Sequence, residues 1–366
     1  AAWFLREGGP GRRLGGIRVG ASQRGPCQGP RFEQFHGERM IMNTRSARPL
    51  VESALLAALG AVMMLIAWYV PVIGLVAGLV SPLPAAVAVI RHGTRWGVMS
   101  SLVTMLVLAP LIGWPNAVAL WVINGAMGIS FGFAVRRNYS PSMVLVTAAG
   151  GSLAGVVAEF ASAYFILGLT LTKQIEEIVT MWNQAVELNQ KILGPNPALD
   201  ELVKMMPTVE TYMALLPGLA VVTAFVMAYV NFELFRRILP RLGYTLEALP
   251  PFSRWIFPPP AAFAGLLAML VSAAQSQFNL NAPLLSRVVE NVSVVASLLF
   301  FVEAVSAAAY YLMRAGFSRF HAGIVIFVAV SMMFGSPALS MLTYMFGMID
   351  ILFDFRHVRS EPVAGI

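Results

Sequence analysis

Three carboxylates and one amide lie where this chain offers least water. Glu159, Glu303 and Asp350 each fall inside a long apolar run, and Asn124 sits midway along another. A charged group withdrawn into hydrocarbon is costly, so it pairs, lines a wet cavity, or holds a substrate. By their positions along the runs, Asn124, Glu159 and Glu303 are expected to share one depth. Carboxylates and an amide in one layer suit a polar solute, a coupling proton or a cation, and these three are the candidate substrate- or ion-binding residues. The structural alternative is hydrogen bonding between helices at modest gain. Asp350 lies nearer one end of its run. Glu52 and Asp354 lie at segment ends and are expected to pair with neighbouring arginines such as Arg48 and Arg356.

Other chemistries find no footing. The chain has no Gly-x-x-x-x-Gly-Lys-Ser/Thr loop and no His-Glu-x-x-His helix. Its single cysteine is Cys27, and the four histidines, His36, His92, His321 and His357, are far apart in sequence. No catalytic set, metal site or cofactor is expected, and an enzyme is the least favoured class.

The elements that position the polar groups follow from composition. Hydrophobic residues make up 58% of the chain and charged residues 12%, against roughly 25% charged in soluble domains. Between Pro49 and Ile90 the only charge is Glu52. A spanning helix needs about 20 apolar residues, so that run alone holds two, with a turn at Pro71. About ten such segments recur, with approximate limits 49–69, 72–90, 96–112, 117–135, 142–171, 212–235, 260–277, 288–313, 320–334 and 339–353. The last two are short enough to form a re-entrant pair, so the expected fold is an all-α, polytopic transmembrane bundle of 8–10 segments.

Arginine flanks set the expected orientation. Arg45, Arg48, Arg91, Arg95, Arg136, Arg137, Arg236, Arg237, Arg241, Arg254, Arg314, Arg319, Arg356 and Arg359 fall on one side. Lys173, Lys191, Lys204 and Arg287 fall on the other. Basic flanks stay inside, so both termini are expected in the cytoplasm. The net charge of +7 is accounted for by these flanks. The basic residues form no stripe, and no nucleic-acid partner is expected.

The expected organisation has five parts. Residues 1–41, rich in Gly and Arg, read as a disordered arm or, preferably, as translated upstream DNA preceding a natural start at Met42. Residues 42–235 form a six-helix membrane unit. Its outer insert, 172–210, carries Ile175, Ile178, Val179, Trp182 and Val186 at helical spacing, with a shorter helix through Leu199, Leu202 and Met206 after Gly194-Pro195-Asn196-Pro197. This insert is read as an interfacial cap or, less favoured, a lid. Residues 236–260 are an Arg/Pro-rich connector, 261–355 the C-terminal segments, and 356–366 a tail. Small residues at four-residue spacing (Ala54 with Ala58, Ala57 with Ala61, Gly128 with Gly132, Gly151 with Gly155) mark close helix approach.

Two resemblances follow from particular residues. Leu249-Pro250-Pro251-Phe252-Ser253-Arg254-Trp255, the pair Glu290-Asn291, and the ending Gly347-x-x-Asp350-x-x-x-Asp354-x-Arg356 resemble the YybS-like family of bacterial multi-spanning membrane proteins, which carries no established activity. Gly347, Asp350, Asp354 and Arg356 are its cytoplasmic motif. More distantly, Ala54 to Ala61, then Ser81-Pro82-Leu83-Pro84 and Arg91-His92-Gly93, are similar to the opening of the S components of energy-coupling-factor transporters. That likeness implies a solute-binding bundle docking on a coupling membrane subunit served by ATPases, with Ala54, Ala57, Ala58 and Ala61 as the docking face. The expected function is therefore a small-solute-binding or permease-like subunit. The rival is a non-transporting scaffold or regulatory protein whose partners use the connector and the Asp354–Arg359 end.

Overall fold

A computed structural model describes residues 44–70, 73–194, 208–278, 282–334 and 336–359. The readings placed on residues 1–41, on Met42 and on Leu199 to Met206 lie outside them. Residues from Thr44 onward form one compact unit. Among the described residues there are α-helices and two 3-10 turns and no strand. Eight helical stretches among the described residues are long and apolar enough to cross a membrane, and two further apolar helices are shorter.

Helix α1 runs Thr44–Tyr69. The second apolar segment is not one helix but two, α2 (Ile73–Val80) and α3 (Leu83–His92). The break falls at Ser81-Pro82, where proline has no N–H to give and the Ser81 hydroxyl oxygen lies 2.8 Å from the Gly78 carbonyl oxygen. Every residue of α3 from Leu83 to Ile90 is buried. It is the central post of the N-terminal bundle, ringed by α1, α4 (Thr94–Ile112) and α5 (Trp114–Arg136). Glycines make this possible. A Cβ on Gly128 would lie 2.4 Å from the Pro82 carbonyl oxygen, and one on Gly132 would lie 2.5 Å from that of Ala86. Gly113 joins α4 to α5 by a single residue at φ +86°, a conformation glycine adopts without strain.

Helix α6 (Pro141–Leu167) lies along α5, and the amphipathic α7 (Leu171–Leu193) follows it. Gln174 ties that turn down by donating to the carbonyls of Leu169 (2.8 Å) and Phe160 (3.3 Å). Ile175 and Val186 are buried, whereas Ile178, Met181 and Trp182 are exposed. Helix α8 (Val209–Ile238) packs on both α6 and the later helix Pro283–Arg314 and so bridges the two halves. Its Phe232 and Phe235 meet Phe131 edge-on in the largest apolar core.

The connector follows, with 3-10 turns at Leu239–Leu242 and Phe252–Arg254. The C-terminal part comprises α9 (Pro259–Phe278), α10 (Pro283–Arg314), α11 (Arg319–Phe334) and α12 (Pro337–Phe353). Pro217 interrupts α8. In an uninterrupted helix the Gly218 N–H would bond the Ala214 carbonyl. Here Asn291 of α10 takes both groups, accepting from Gly218 N at 2.6 Å and donating to Ala214 O at 2.7 Å. A proline defect in one helix is thus repaired by an amide from its neighbour.

Candidate functional site

The polar residues singled out from sequence fall at three separate places. Asn124 on α5 accepts from the Ser81 hydroxyl at 2.8 Å and donates to the Leu120 carbonyl at 2.8 Å. It therefore stands at the break between α2 and α3. Around it are Ser100, Ser101, Thr104 and Trp121, lining a cavity of about 10 Å³. Ser100 and Thr104 donate to the carbonyls of Ser53 and Ala57 on α1, each at 3.0 Å. Trp121 Nε1 donates to Ser101 Oγ at 3.2 Å. Three helices and a helix break are pinned by hydroxyl, amide and indole groups with no ionised group among them.

Glu159 lies on the other side of α5. Gly151 and Gly155 of α6 press against Ala126, Ser130, Val122 and Ile123, and Glu159 is one turn further along. Its side chain is half-buried, and its carbonyl accepts from Ser162 Oγ at 2.8 Å.

Glu303 is in the C-terminal part and fully buried. One carboxylate oxygen receives the Arg356 guanidinium and the other accepts from the Phe257 N–H at 3.1 Å. The expectation that Asn124, Glu159 and Glu303 form one cluster is therefore corrected. Asn124 bonds the α2–α3 break, and Glu303 is taken up by the connector and the C-terminal end. A shared position along the sequence runs said nothing about which side of a helix each group faces.

The buried charges assemble instead around Arg356. Its Nε donates to Asp350 at 2.8 Å. Its Nη1 donates to the Ser253 carbonyl at 3.0 Å and to Ser306 Oγ at 2.8 Å. Its Nη2 donates to the Trp255 carbonyl at 2.8 Å and to Glu303. A guanidinium has five N–H donors, and all five are used. The side chains of Arg356, Glu303 and Asp350 are all at 0% exposure. The Oδ1 atom of Asp350 is buried without a hydrogen-bond partner. Arg359 continues the clasp by donating to the carbonyls of Phe257 (2.8 Å) and Ile351 (2.7 Å). The connector is thereby stitched to α10 and to the chain end after α12.

Two further expectations change. Arg356 does not pair with Asp354. Asp354 closes α12 at φ +47° and accepts from the N–H groups of Val358 and Arg359, both at 3.0 Å. The motif Gly347, Asp350, Asp354, Arg356 is accordingly an internal clasp, with Arg356 itself withdrawn from any partner. Gly347 belongs to it sterically, since a Cβ there would lie 1.9 Å from the Phe300 carbonyl oxygen. On α1, Ala57 and Ala61 are buried at 0% and 2% exposure, so they pack inside this chain and are not open to a second one. Ala54 and Ala58 remain exposed. Glu52 does pair with Arg48 (2.7 Å), and also with Arg91 (3.3 Å) and His92 (2.9 Å), joining the start of α1 to the end of α3.

Sequence reading missed Ser81, Ser306 and the bonding of Asn291 to the Ala214 and Gly218 backbone groups beside Pro217. Signals existed for the first and third: proline inside an apolar run leaves backbone groups that a neighbouring polar side chain must satisfy. Ser306 carried no signal, because a serine in an apolar helix most often bonds its own turn.

The helices and their buried polar groups define a polytopic α-helical membrane protein. Residues 58–351 match the family described as a predicted membrane protein, DUF2232, and the chain belongs to that family. It is similar to the uncharacterized protein YybS of Bacillus subtilis (strain 168), with 22% identity over 317 residues, covering 86% of this chain and 99% of that protein. No solved structure matches.

Proposed function

We propose that this chain is a small-solute-binding or permease-like subunit of the bacterial plasma membrane, with a binding rather than a catalytic role. Its site would lie at the interruption of the second span. The observation that carries this reading is the hydrogen bond between Ser81 and Asn124 at a helix break enclosed by hydroxyl groups. Interrupted helices near the middle of a bundle expose backbone groups that coordinate solutes and ions in many transporters. A cavity of about 10 Å³ admits no more than about one water, so the reading requires a second, opened conformation. Energy would come from ATPases of other chains through a coupling membrane subunit. Ala54 and Ala58 are the part of the α1 small-residue face still available for docking on it.

The test is recovery of the protein from native membranes in mild detergent, followed by mass spectrometry of co-purifying small molecules and proteins. A polar solute is expected with the wild type and not with Asn124→Leu, both proteins remaining monodisperse. Absence of any solute and of any coupling or ATPase subunit would remove the proposal.

A second reading, a non-transporting scaffold or regulatory protein, draws support from the exposed charged residues of the connector, Arg241 and Glu247, which are free of the internal Arg356 clasp. Asn124→Leu separates the two. A transporter whose site is the Ser81–Asn124 break loses uptake while keeping its fold, whereas a scaffold tolerates the change.

A further inference from the structure

A second cavity, of about 490 Å³, lies between α9, α10 and α12. It is remote in sequence from the Ser81–Asn124 break, and its size is that of ordinary small-molecule sites. We propose that it binds a neutral amphiphile drawn from the bilayer: an apolar chain carrying hydroxyl or ester oxygens and no charge.

Four observations carry this. First, the walls are apolar and adaptable. Met269, Met341, Met345 and Met348 line the cavity, and unbranched methionines conform to irregular chains. Second, the cavity opens outward. Met269, Met341 and Met345 are 46%, 59% and 38% exposed, and Phe263 and Leu267, on the same helix as Met269, are exposed as well. An occupant can enter sideways from lipid. Third, hydroxyls point in from two helices. Ser293 and Ser297 lie four residues apart on α10, and Ser340 and Tyr344 four apart on α12, so each pair shares a face.

Among the described residues, the side-chain hydroxyls of Ser293, Ser297 and Tyr344 have no hydrogen-bond partner within the protein, whereas those of Ser306, Ser331 and Thr343 bond carbonyls. Hydrocarbon supplies no partner, and an unmade hydrogen bond there is costly, so an oxygen-bearing occupant gains what a plain alkane cannot. Fourth, among the described residues no Asp, Glu, Lys, Arg or His lines the cavity. A charged head would therefore enter unpaired, which selects against fatty-acid anions and zwitterions.

The test uses the full chain in nanodiscs with a diazirine-tagged monoacylglycerol, mapping labelled peptides by mass spectrometry. Labelling is expected at the α10 stretch around Ser293–Ser297 and the α12 stretch around Ser340–Met345. Monoolein should compete at roughly tenfold lower concentration than squalane or oleate, a ratio corresponding to about one additional hydrogen bond. The double change Ser293→Ala with Ser297→Ala should erase the advantage over squalane, and Ser297→Leu should abolish labelling by filling the space. Labelling spread evenly over Phe263, Leu267 and Leu342, or squalane competing as well as monoolein on the wild type, overturns the proposal. That competition needs no variant, so a misfolded mutant leaves the test intact.

Discussion

Arg356 meets Glu303 across fifty-three residues of sequence, with both side chains fully withdrawn from solvent. The pair joins the chain end after α12 to the interior of α10, and the connector closes over it through the Ser253 and Trp255 carbonyls and the Phe257 N–H. A buried ion pair is a poor source of net stability, but breaking one half of it is expensive, because the remaining charge is stranded.

Arg356→Met should therefore destabilise the protein by about 3–5 kcal/mol, since it leaves Glu303 and Asp350 facing each other without a cation. Thermal unfolding of the detergent-solubilised protein checks this. Replacing Arg356, Glu303 and Asp350 together by apolar residues of similar volume should cost much less than Arg356→Met alone. Arg356→Lys should behave nearer the methionine variant than the wild type, because an ammonium cannot reproduce the five-donor fork.

The Asn291 repair of the Pro217 defect is testable as a cycle. Asn291→Leu should cost about 1–3 kcal/mol, the penalty of leaving Gly218 N–H and Ala214 C=O unpaired. In that background Pro217→Ala should recover most of the loss, because α8 then makes its own Gly218-to-Ala214 bond. A cost unchanged by Pro217→Ala would show that the two sites are uncoupled.

Close approach at Gly347 predicts a position-specific response to a single methyl group. Gly347→Ala places Cβ against the Phe300 carbonyl and should destabilise by about 1–3 kcal/mol through forced separation of α10 and α12. Gly150→Ala has nothing within 4 Å of the added carbon and should be neutral or stabilising by up to about 1 kcal/mol from helix propensity. Chemical denaturation in mixed micelles distinguishes them.

Orientation is open to a direct measurement. The sole cysteine is Cys27, so single-cysteine variants in a Cys27→Ser background report one position each. A cysteine at the exposed Trp182 of α7 should react with an impermeant maleimide in intact cells. One at Glu247, in the connector, should react only after permeabilisation. The opposite pattern would reverse the topology derived from the arginine flanks.

Much of the architecture was written in the chain. Long apolar runs separated by arginines fix membrane-spanning helices because hydrocarbon leaves the backbone no partner but itself, and the amphipathic spacing of Ile175 to Val186 places α7 outside the spans. Sequence also marked Gly347, Asp350, Asp354 and Arg356 as a unit, though not what the unit does. Tertiary structure alone decided which polar groups meet. Asn124 and Glu159 lie on adjoining helices yet on opposite sides of α5, and Arg356, expected at a surface, is the most buried cation among the described residues. Hydropathy reports how far along the membrane normal a residue sits. Rotation about each helix axis is settled by packing, by which glycines let which backbones approach, and that information is spread over partners far apart in sequence.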